Sequence, residues 1–235
     1  MRDRPFVDFH THRKGCERYS GVPEGELLII QSLFYGEEKA HPRADFVSLG
    51  LHPMQSGAQE YLDQIKTDKR MAMRQWHDAI EQSPKPVIAI GECGWDTRSD
   101  LTLLEQGEIV DFLLEVAQDA SLPIIFHIVK GWHLLLALKK ERPDSEIPWI
   151  VHGFRGNLAL QDQLRSAGIY LSYHPLYPHV ASEDLEHPLL LESDDSDVDV
   201  RDFYSAVAEK LNVPLSQLRE RCYSDFQAQI LYSLS

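Results

Sequence analysis

The chain of 235 residues has few cysteines and no long apolar run. Cys16, Cys93 and Cys222 are scattered and form no CxxC pair, which argues against a disulfide framework and predicts a reducing, cytoplasmic location. No apolar stretch approaches the roughly 20 residues that span a bilayer, so we expect no membrane anchoring. The first residues, MRDRPFVDFH, are charged and run at once into a strand-like segment, which is untypical of a signal peptide.

Positive charge is also scarce, because 23 Lys and Arg face 37 Asp and Glu and leave a net charge of −14. Nucleic-acid binders gain much of their affinity by neutralising phosphates, so this balance disfavours broad, non-specific binding to a duplex. A small phosphate ester or a strand end held by metal ions stays compatible with it, since bound cations bring their own positive charge. The chain also lacks a Pro/Gly/Ser-rich linker, and we expect one domain over residues 1–235.

Eight apolar runs have the length and composition of β-strands. They lie at 6–10, 27–33, 45–51, 86–91, 123–127, 148–153, 169–173 and 188–193. Helix-compatible amphipathic segments lie at 61–82, 101–120, 131–141, 157–168, 200–212 and 214–234. This alternation predicts an α/β fold, and eight repeats at this length predict a (β/α)8 TIM barrel. Segments 11–26 and 34–44 have no helical period, so we expect an irregular barrel on that side.

Side chains that bind metals fall at or just past the ends of these runs. They are His10, His12, Glu92, His127, His152 and Asp194. In a barrel of parallel strands the carboxyl ends of the strands converge on one mouth. Four imidazoles and two carboxylates that meet there would form a metal site with N and O ligands. The sequence therefore predicts a metallohydrolase with its site at the C-terminal ends of the strands.

Each of these motifs also has an ordinary structural interpretation. An HxH pair arises often by chance, and a single histidine that closes an apolar run is usually a core or rim residue. GECGWD could be a turn with a solvated Glu92, and ESDD could be an acidic loop. In the functional interpretation, Gly91 and Gly94 allow positive φ or close backbone approach beside Glu92. The joint pattern, and no single motif, carries the prediction.

Three further residues are candidates for substrate binding: His52, Lys130 and Arg155. His52 could instead cap a turn before Pro53, and Lys130 could be an ordinary surface lysine. Asp96 could orient a metal ligand through a hydrogen bond. We expect three other histidines at the surface or in loops: His133, His174 and His179.

Together these motifs resemble those of the TatD-like metal-dependent hydrolases, a branch of the amidohydrolase-type TIM barrels. DFHTH resembles the DxHxH motif of that family, GLHP its GxHP and AIGECGWD its IGEIGLD. LPIIFH resembles its strand ending in histidine, WIVHGFRG its HCFSG and LLLESDD its ETD. The resemblance covers most of the chain in the same order, and Asp225 stands where the family usually has Asn.

The resemblance implies a ligand set for two cations. One cation would bind His10, His12, Glu92 and Asp194, and the other Glu92, His127 and His152, with Glu92 as the bridge. Family members are typically divalent-metal-dependent phosphodiesterases that act on DNA, often as exonucleases. The chain departs from the family after His127, where Ile-Val-Lys replaces the usual arginine and leaves Lys130 as its substitute. ESDDSD also replaces the more usual ETDAP.

We therefore expect a divalent-metal-dependent hydrolase of TatD type, a deoxyribonuclease that uses a metal-activated water. Glu92 and Asp194 would be catalytic, with Asp194 taking the proton from that water. The cofactors would be two ions of Zn, Mn, Co, Ni or Mg, of which Mg suits this many imidazoles least. The partner would be DNA or a small phosphate ester, with no obligate protein partner. A metal-dependent amidohydrolase or lactonase, and a catalytically silent binding protein on the same barrel, stay open as alternatives.

Overall fold

The computed structural model describes residues 4–36, 39–176 and 180–231. Its strands are β1 (Phe6–Thr11), β2 (Leu27–Phe34), β3 (Phe46–Gly50), β4 (Val87–Asp96), β5 (Ile124–Val129), β6 (Trp149–Val151), β7 (Ile169–Tyr173) and β8 (Leu189–Leu191). Each strand pairs in parallel with the next. A parallel bridge between Thr11 and Asp194 joins the two ends of the sheet. The predicted TIM barrel is confirmed as a nearly closed one.

Helices alternate with most of the strands. They are α1 (Arg13–Arg18), α2 (Ala58–Thr67), α3 (Lys69–Glu81), α4 (Leu103–Asp119), α5 (Trp132–Glu141), α6 (Leu158–Ser166), α7 (Val200–Leu211) and α8 (Leu215–Gln229), with a 3-10 helix at Ser182–Glu186. The single helix predicted at 61–82 was wrong, because Asp68 divides it and its side chain accepts a hydrogen bond from the Met71 N–H to begin α3. None of the described helices combines the length and apolar surface needed to cross a bilayer.

Two hydrophobic clusters pack against the strands, one outside the ring of strands and one inside it. The larger lies between the strands and the surrounding helices. The smaller combines buried residues from six strands with one from α8 and the residue that follows α8: Val7, Phe9, Ile30, Ile88, Ala89, Ile125, Ile150, Leu190, Phe226 and Ile230. The smaller cluster fills the interior of the barrel with apolar side chains. Polar side chains that point inward therefore gather at the C-terminal ends of the strands.

β4 is longer than predicted, and two of its glycines allow it to run close to β5. Gly91 and Gly94 have φ values of +127° and +146°. A Cβ at either position would collide with a backbone carbonyl oxygen of β5, that of Ile125 or of His127. The predicted need for glycine at both positions is confirmed. Glu92 therefore lies inside the strand, between the two glycines, and not at its end.

The far end of β4 is held by α4. The amide of the buried Gln106 accepts a hydrogen bond from the Asp96 N–H at 2.8 Å and donates to the carbonyls of Asp96 and Leu101 at 3.1 and 2.7 Å. α4 itself begins with a reciprocal cap, in which Thr102 Oγ1 accepts from the Glu105 N–H and Glu105 Oε2 accepts from the Thr102 N–H. The start of α4 thus fixes where the β4 residues of the barrel mouth lie.

Removal of this cap tests its contribution to stability. Thr102 is exposed, so Thr102→Ala removes the cap with little change in packing. We expect the free energy of unfolding to fall by about 1 kcal/mol, the usual cost of losing a Thr cap. Urea denaturation measures the change, and Thr102→Ser, which keeps the hydroxyl, should lie within a few tenths of a kcal/mol of the wild type. Equal losses in both variants would contradict the capping role.

Candidate metal centre

The carboxylate of Glu92 lies at the centre of the barrel mouth, with 2% of the residue exposed. Its Oε1 lies 3.5 Å from Nε2 of His10 and 3.5 Å from Nε2 of His12. Its Oε2 lies 2.9 Å from Nε2 of His152 and 3.2 Å from Nδ1 of His127. Each carboxylate oxygen therefore faces its own pair of imidazoles.

Asp194 joins the side of His10 and His12. Its Oδ1 lies 3.3 Å from Nε2 of His12, and its backbone N–H donates to the carbonyl of His10 at 2.9 Å. This contact belongs to the bridge that closes the sheet between β8 and β1. The six residues predicted as metal ligands are thus brought together at one end of the barrel.

On the other side of Glu92, two carboxylates behind the imidazoles set the positions of the ring protons. His127 Nε2 lies 3.1 Å from Asp96 Oδ2, and His152 Nδ1 lies 3.3 Å from Glu192 Oε1. An ionised carboxylate only accepts hydrogen bonds, so these two ring nitrogens carry the protons. The lone pairs of His127 Nδ1 and His152 Nε2 are then directed at Glu92, as in the carboxylate–histidine pairs that orient metal ligands.

This arrangement fits a cation. His127 Nδ1 and His152 Nε2 lie 3.1 Å apart, and both also lie close to Glu92 Oε2, so three atoms with lone pairs converge. Zn–N bonds of about 2.0–2.1 Å at a tetrahedral angle would place two such nitrogens about 3.3 Å apart. Neither ring nitrogen of the buried His10 has a hydrogen-bond partner among the described residues, which suits a metal ligand. The set of imidazoles and carboxylates matches Zn, Mn, Co or Ni.

The carboxylates of the site are held in their ionised form. Burial alone would raise the pKa of Glu92, but the imidazoles of His152 and His10 outweigh it and hold that pKa well below its usual range. Burial likewise opposes ionisation of Asp194, and the hydrogen bond from His12 lowers the pKa of Asp194 in spite of it. Burial alone would lower the pKa of His152, but the carboxylates of Glu92 and Glu192 outweigh it and raise that pKa well above its usual range. The site therefore stabilises positive charge next to Glu92, whether a proton or a cation supplies it.

Two other histidines at the mouth have the opposite proton arrangement. Nδ1 of His52 accepts the backbone N–H of Met54 at 2.9 Å, and Nδ1 of His174 accepts that of Leu176 at 3.1 Å. In a neutral ring the proton then lies on Nε2, which makes this nitrogen a hydrogen-bond donor and leaves no lone pair for a metal. His52 Nε2 lies 3.7 Å from Glu92 Oε2. Although both belong to groups with metal-ligand spacing, His52 and His174 present donors.

The other histidines expected at the surface or in loops have different outcomes. His174 follows β7 in a loop, as predicted, but it is buried there, with 1% of the residue exposed. His133 is exposed on α5, as predicted, and His179 lies outside the described residues.

A cavity of about 310 Å³ opens above Glu92. Two arginines line it, Arg98 from the segment after β4 and Arg155 from the segment after β6, together with the ring of Phe34 at the end of β2. Arg155 was a predicted substrate contact, as was His52, which also lines the cavity. Lys130 is exposed and is not among the lining residues.

Some residues of the site were not found from the sequence. Glu192 lies two positions before Asp194, a spacing that could have indicated a second buried carboxylate behind His152. Arg98 had no such signal, because its position depends on the extension of β4 to Asp96. There its guanidinium forms an ion pair with Asp96 Oδ2 at 2.5 Å. The predicted orienting role of Asp96 agrees with its contact to His127 Nε2.

A family model described as TatD related DNase matches residues 34–219. Among curated proteins, the metal-dependent hydrolase YjjV of Escherichia coli (strain K12) is 29% identical over 124 residues, which cover 52% of this chain and 44% of YjjV. The 3'-5' ssDNA/RNA exonuclease TatD of Pectobacterium carotovorum subsp. carotovorum is 27% identical over 160 residues, 60% of each chain. The matched segments thus span less than two thirds of either relative.

Solved structures extend the similarity of fold to nearly the whole chain. The crystal structure of YjjV from Escherichia coli superposes with a TM-score of 0.73 at 20% identity, covering 96% of this chain and 98% of that one. A TatD family hydrolase from Entamoeba histolytica superposes with a TM-score of 0.67 at 16% identity, covering 98% and 99%. The barrel architecture is therefore shared across its full length.

The proton arrangement at His52 gives a direct prediction for the protein freed of metal by a chelator. Burial lowers the pKa of His52 to about 4, because burial disfavours the imidazolium form. Nitrogen NMR of the imidazole should find a neutral ring with its proton on Nε2 from pH 7 to about pH 4. A His52→Gln spectrum assigns the signal.

The lowered pKa of His52 also makes the free energy of unfolding depend on pH. The unfolded chain binds this proton near its ordinary pKa of about 6.5, so the contribution of His52 to stability grows as the pH rises from about 4 to about 6.5. An imidazolium signal of His52 at pH 6, or a proton on Nδ1, would contradict the assignment.

Proposed function

Because this chain belongs to the TatD-related DNase family, we propose that it is a divalent-metal-dependent phosphodiesterase that hydrolyses DNA from a strand end. The observation that carries this proposal is the division of Glu92 between two groups of imidazoles, with Oε1 facing His10 and His12 and Oε2 facing His127 and His152. A bridging carboxylate of this kind is what a pair of adjacent cations requires.

The proposed ligands form two groups that share Glu92. One group is His10, His12, Glu92 and Asp194, and the other is Glu92, His127 and His152. When bound, the two ions would polarise a phosphate oxygen and lower the pKa of a water molecule. Asp96 and Glu192 hold the protons of His127 and His152 away from the centre, which leaves the lone pairs of these imidazoles available for binding.

Asp194 is the proposed general base. Its carboxylate is next to the imidazole of His12, and its lowered pKa keeps it ionised at neutral pH. It takes a proton from the attacking water as the new P–O bond forms and the ester P–O bond breaks. The same proton then goes to the leaving oxygen, so that Asp194 returns to its ionised form.

The mouth of the barrel suits an anionic substrate of limited size. Arg98, which is paired with Asp96, and Arg155 bring guanidinium groups to a lining that also holds the carboxylates of Glu92, Asp194 and Asp195, and the His52 Nε2–H is a donor for a phosphate oxygen. Lys130, exposed and outside the lining, has no role in this proposal. A cavity of about 310 Å³ is at the small end of ligand pockets, which run from about 300 to 1,000 Å³, and favours a strand end or small ester over a duplex.

The two arginines of the lining also favour this activity over hydrolysis of an amide or a lactone. Neutral carbonyl substrates gain little from two guanidinium groups, whereas a phosphodiester is held by them through charge-assisted hydrogen bonds. The exonuclease of Pectobacterium carotovorum subsp. carotovorum, matched over 160 residues, also supports a nucleic-acid substrate. A screen of single-stranded DNA and nitrophenyl phosphodiesters against lactones and N-acyl amides separates these substrate classes.

Two isosteric substitutions test the proposed centre. Glu92→Gln removes the bridging charge and Asp194→Asn removes the base, so we expect kcat for a phosphodiester to fall by about 10²–10⁴ in each variant. Steady-state kinetics measure the loss, metal analysis measures the ion content, and circular dichroism checks that the fold is retained. Glu92→Gln should also bind fewer ions per chain than the wild type.

A matched control removes a carboxylate far from the mouth. Asp144 is exposed in the segment that leads into β6, so Asp144→Asn should keep full activity and full metal content. Wild-type activity in a folded Glu92→Gln or Asp194→Asn variant would refute the proposed roles. Hydrolysis of lactones but not of phosphodiesters would refute the proposed substrate.

A further inference from the structure

The ring of Phe34 has no role in the proposed chemistry, although it lines the cavity above Glu92. Most of the other lining residues are polar, and their imidazoles, carboxylates and guanidinium groups bind ions and phosphate oxygens rather than the aromatic part of a substrate. Ile128 and Val129 add aliphatic surface, so Phe34 contributes the phenyl ring among the described residues that line the cavity. Phe34 is partly exposed there, so its apolar surface is available to a molecule that enters the cavity.

Two imidazoles fix the position of this ring. The Phe34 ring stacks on His52 at an interplanar angle of 27°, with the centroids 5.5 Å apart. It also packs edge-on against His12, with the centroids 5.8 Å apart at 66°. Because His12 Nε2 lies 3.5 Å from Glu92 Oε1, the ring lies one side chain away from the proposed reaction centre. A group carried by the sugar next to the reacting phosphate would reach it.

The order of the strands places positive charge on the opposite wall. Phe34 ends β2, whereas Arg155 follows β6, four strands further round the eight-stranded barrel. Arg98 follows β4, two strands from Phe34. A substrate centred on Glu92 would therefore meet an aromatic ring on one side and guanidinium groups on the others. This division matches a nucleotide, which carries a flat aromatic base and an anionic backbone.

We infer that Phe34 is a stacking platform for the nucleobase next to the scissile phosphate, a role that rests on the proposed phosphodiesterase activity. Stacking on an aromatic side chain tolerates every base, because each base has a π-face. Phe34 would thus select phosphodiesters that carry a base without selecting among base sequences. A ring that only shields His12 and His52 from water would instead affect all substrates alike.

The test compares a single-stranded tetramer of thymidylate with a tetramer of the same backbone that lacks all bases. The wild type with its metal restored should have a kcat/KM about tenfold higher for the thymidylate tetramer, the size expected for one stacked base. Phe34→Leu should lose this preference while it cleaves the abasic tetramer at close to the wild-type rate. Phe34→Tyr keeps the ring and should keep the preference.

Two outcomes would overturn the role of Phe34. One is an unchanged preference for bases in Phe34→Leu, and the other is an equal loss of activity on both tetramers, which would mean that the ring only positions His12 and His52.

Equilibrium binding separates this role from the proposed function. Thymidine monophosphate should bind the wild type about tenfold more tightly than 2-deoxyribose 5-phosphate does, and Phe34→Leu should bind the two alike. If neither tetramer is cleaved but this binding difference is found, the phosphodiesterase proposal fails, and Phe34 is left as a residue that stacks on the base of a bound nucleotide. If cleavage occurs without any difference in binding or in kcat/KM, the platform is refuted and the phosphodiesterase proposal stands.

Discussion

Glu92 carries a negative charge at a position where 2% of the residue is exposed, and the arrangement of the barrel mouth depends on how that charge is balanced. A buried carboxylate is strongly unfavourable unless opposite charge or hydrogen-bond donors surround it. Here the imidazoles of His10, His12, His127 and His152 lie around its two oxygens at 2.9–3.5 Å. With lone pairs on His127 Nδ1 and His152 Nε2 directed at the same oxygen, only a proton or a cation can complete the balance.

The fold supplies these groups from strands that are distant in sequence but adjacent in the barrel. The apolar cluster closed by Phe226 of α8 and by Ile230 just after it fills the interior, so polar groups gather at the other end. Gly91 and Gly94 let β4 approach β5 and place Glu92 inside the strand. Asp96 accepts a hydrogen bond from His127, and Glu192 accepts one from His152. These contacts set which ring nitrogen of each histidine carries the proton. The rigid scaffold thus determines the proton arrangement of the site.

The sequence allowed the barrel and the convergence of the six candidate ligands to be predicted, because buried parallel strands are continuous apolar runs and side chains at their ends must converge. It did not reveal the break at Asp68, since the amphipathic pattern continues from α2 into α3. Arg98 was missed because the GECGWD segment lacks a strand pattern, although β4 runs through it. Lys130 has a φ of +62°, a turn at the end of β5 that a periodic pattern does not show. The positions of the strands were predictable, but which side chains beyond their ends turn into the cavity was not, as Arg98 and Lys130 illustrate.

The central claim is that Glu92 lies between two cations and bridges them. Anomalous X-ray diffraction, recorded at the absorption edge of Mn or Zn on crystals grown with that metal, tests it most directly. The account predicts two anomalous peaks, one beside His10, His12 and Asp194 and one beside His127 and His152, with the Glu92 carboxylate between them. No peak at the barrel mouth, or a single peak that Glu92 does not contact, would contradict it.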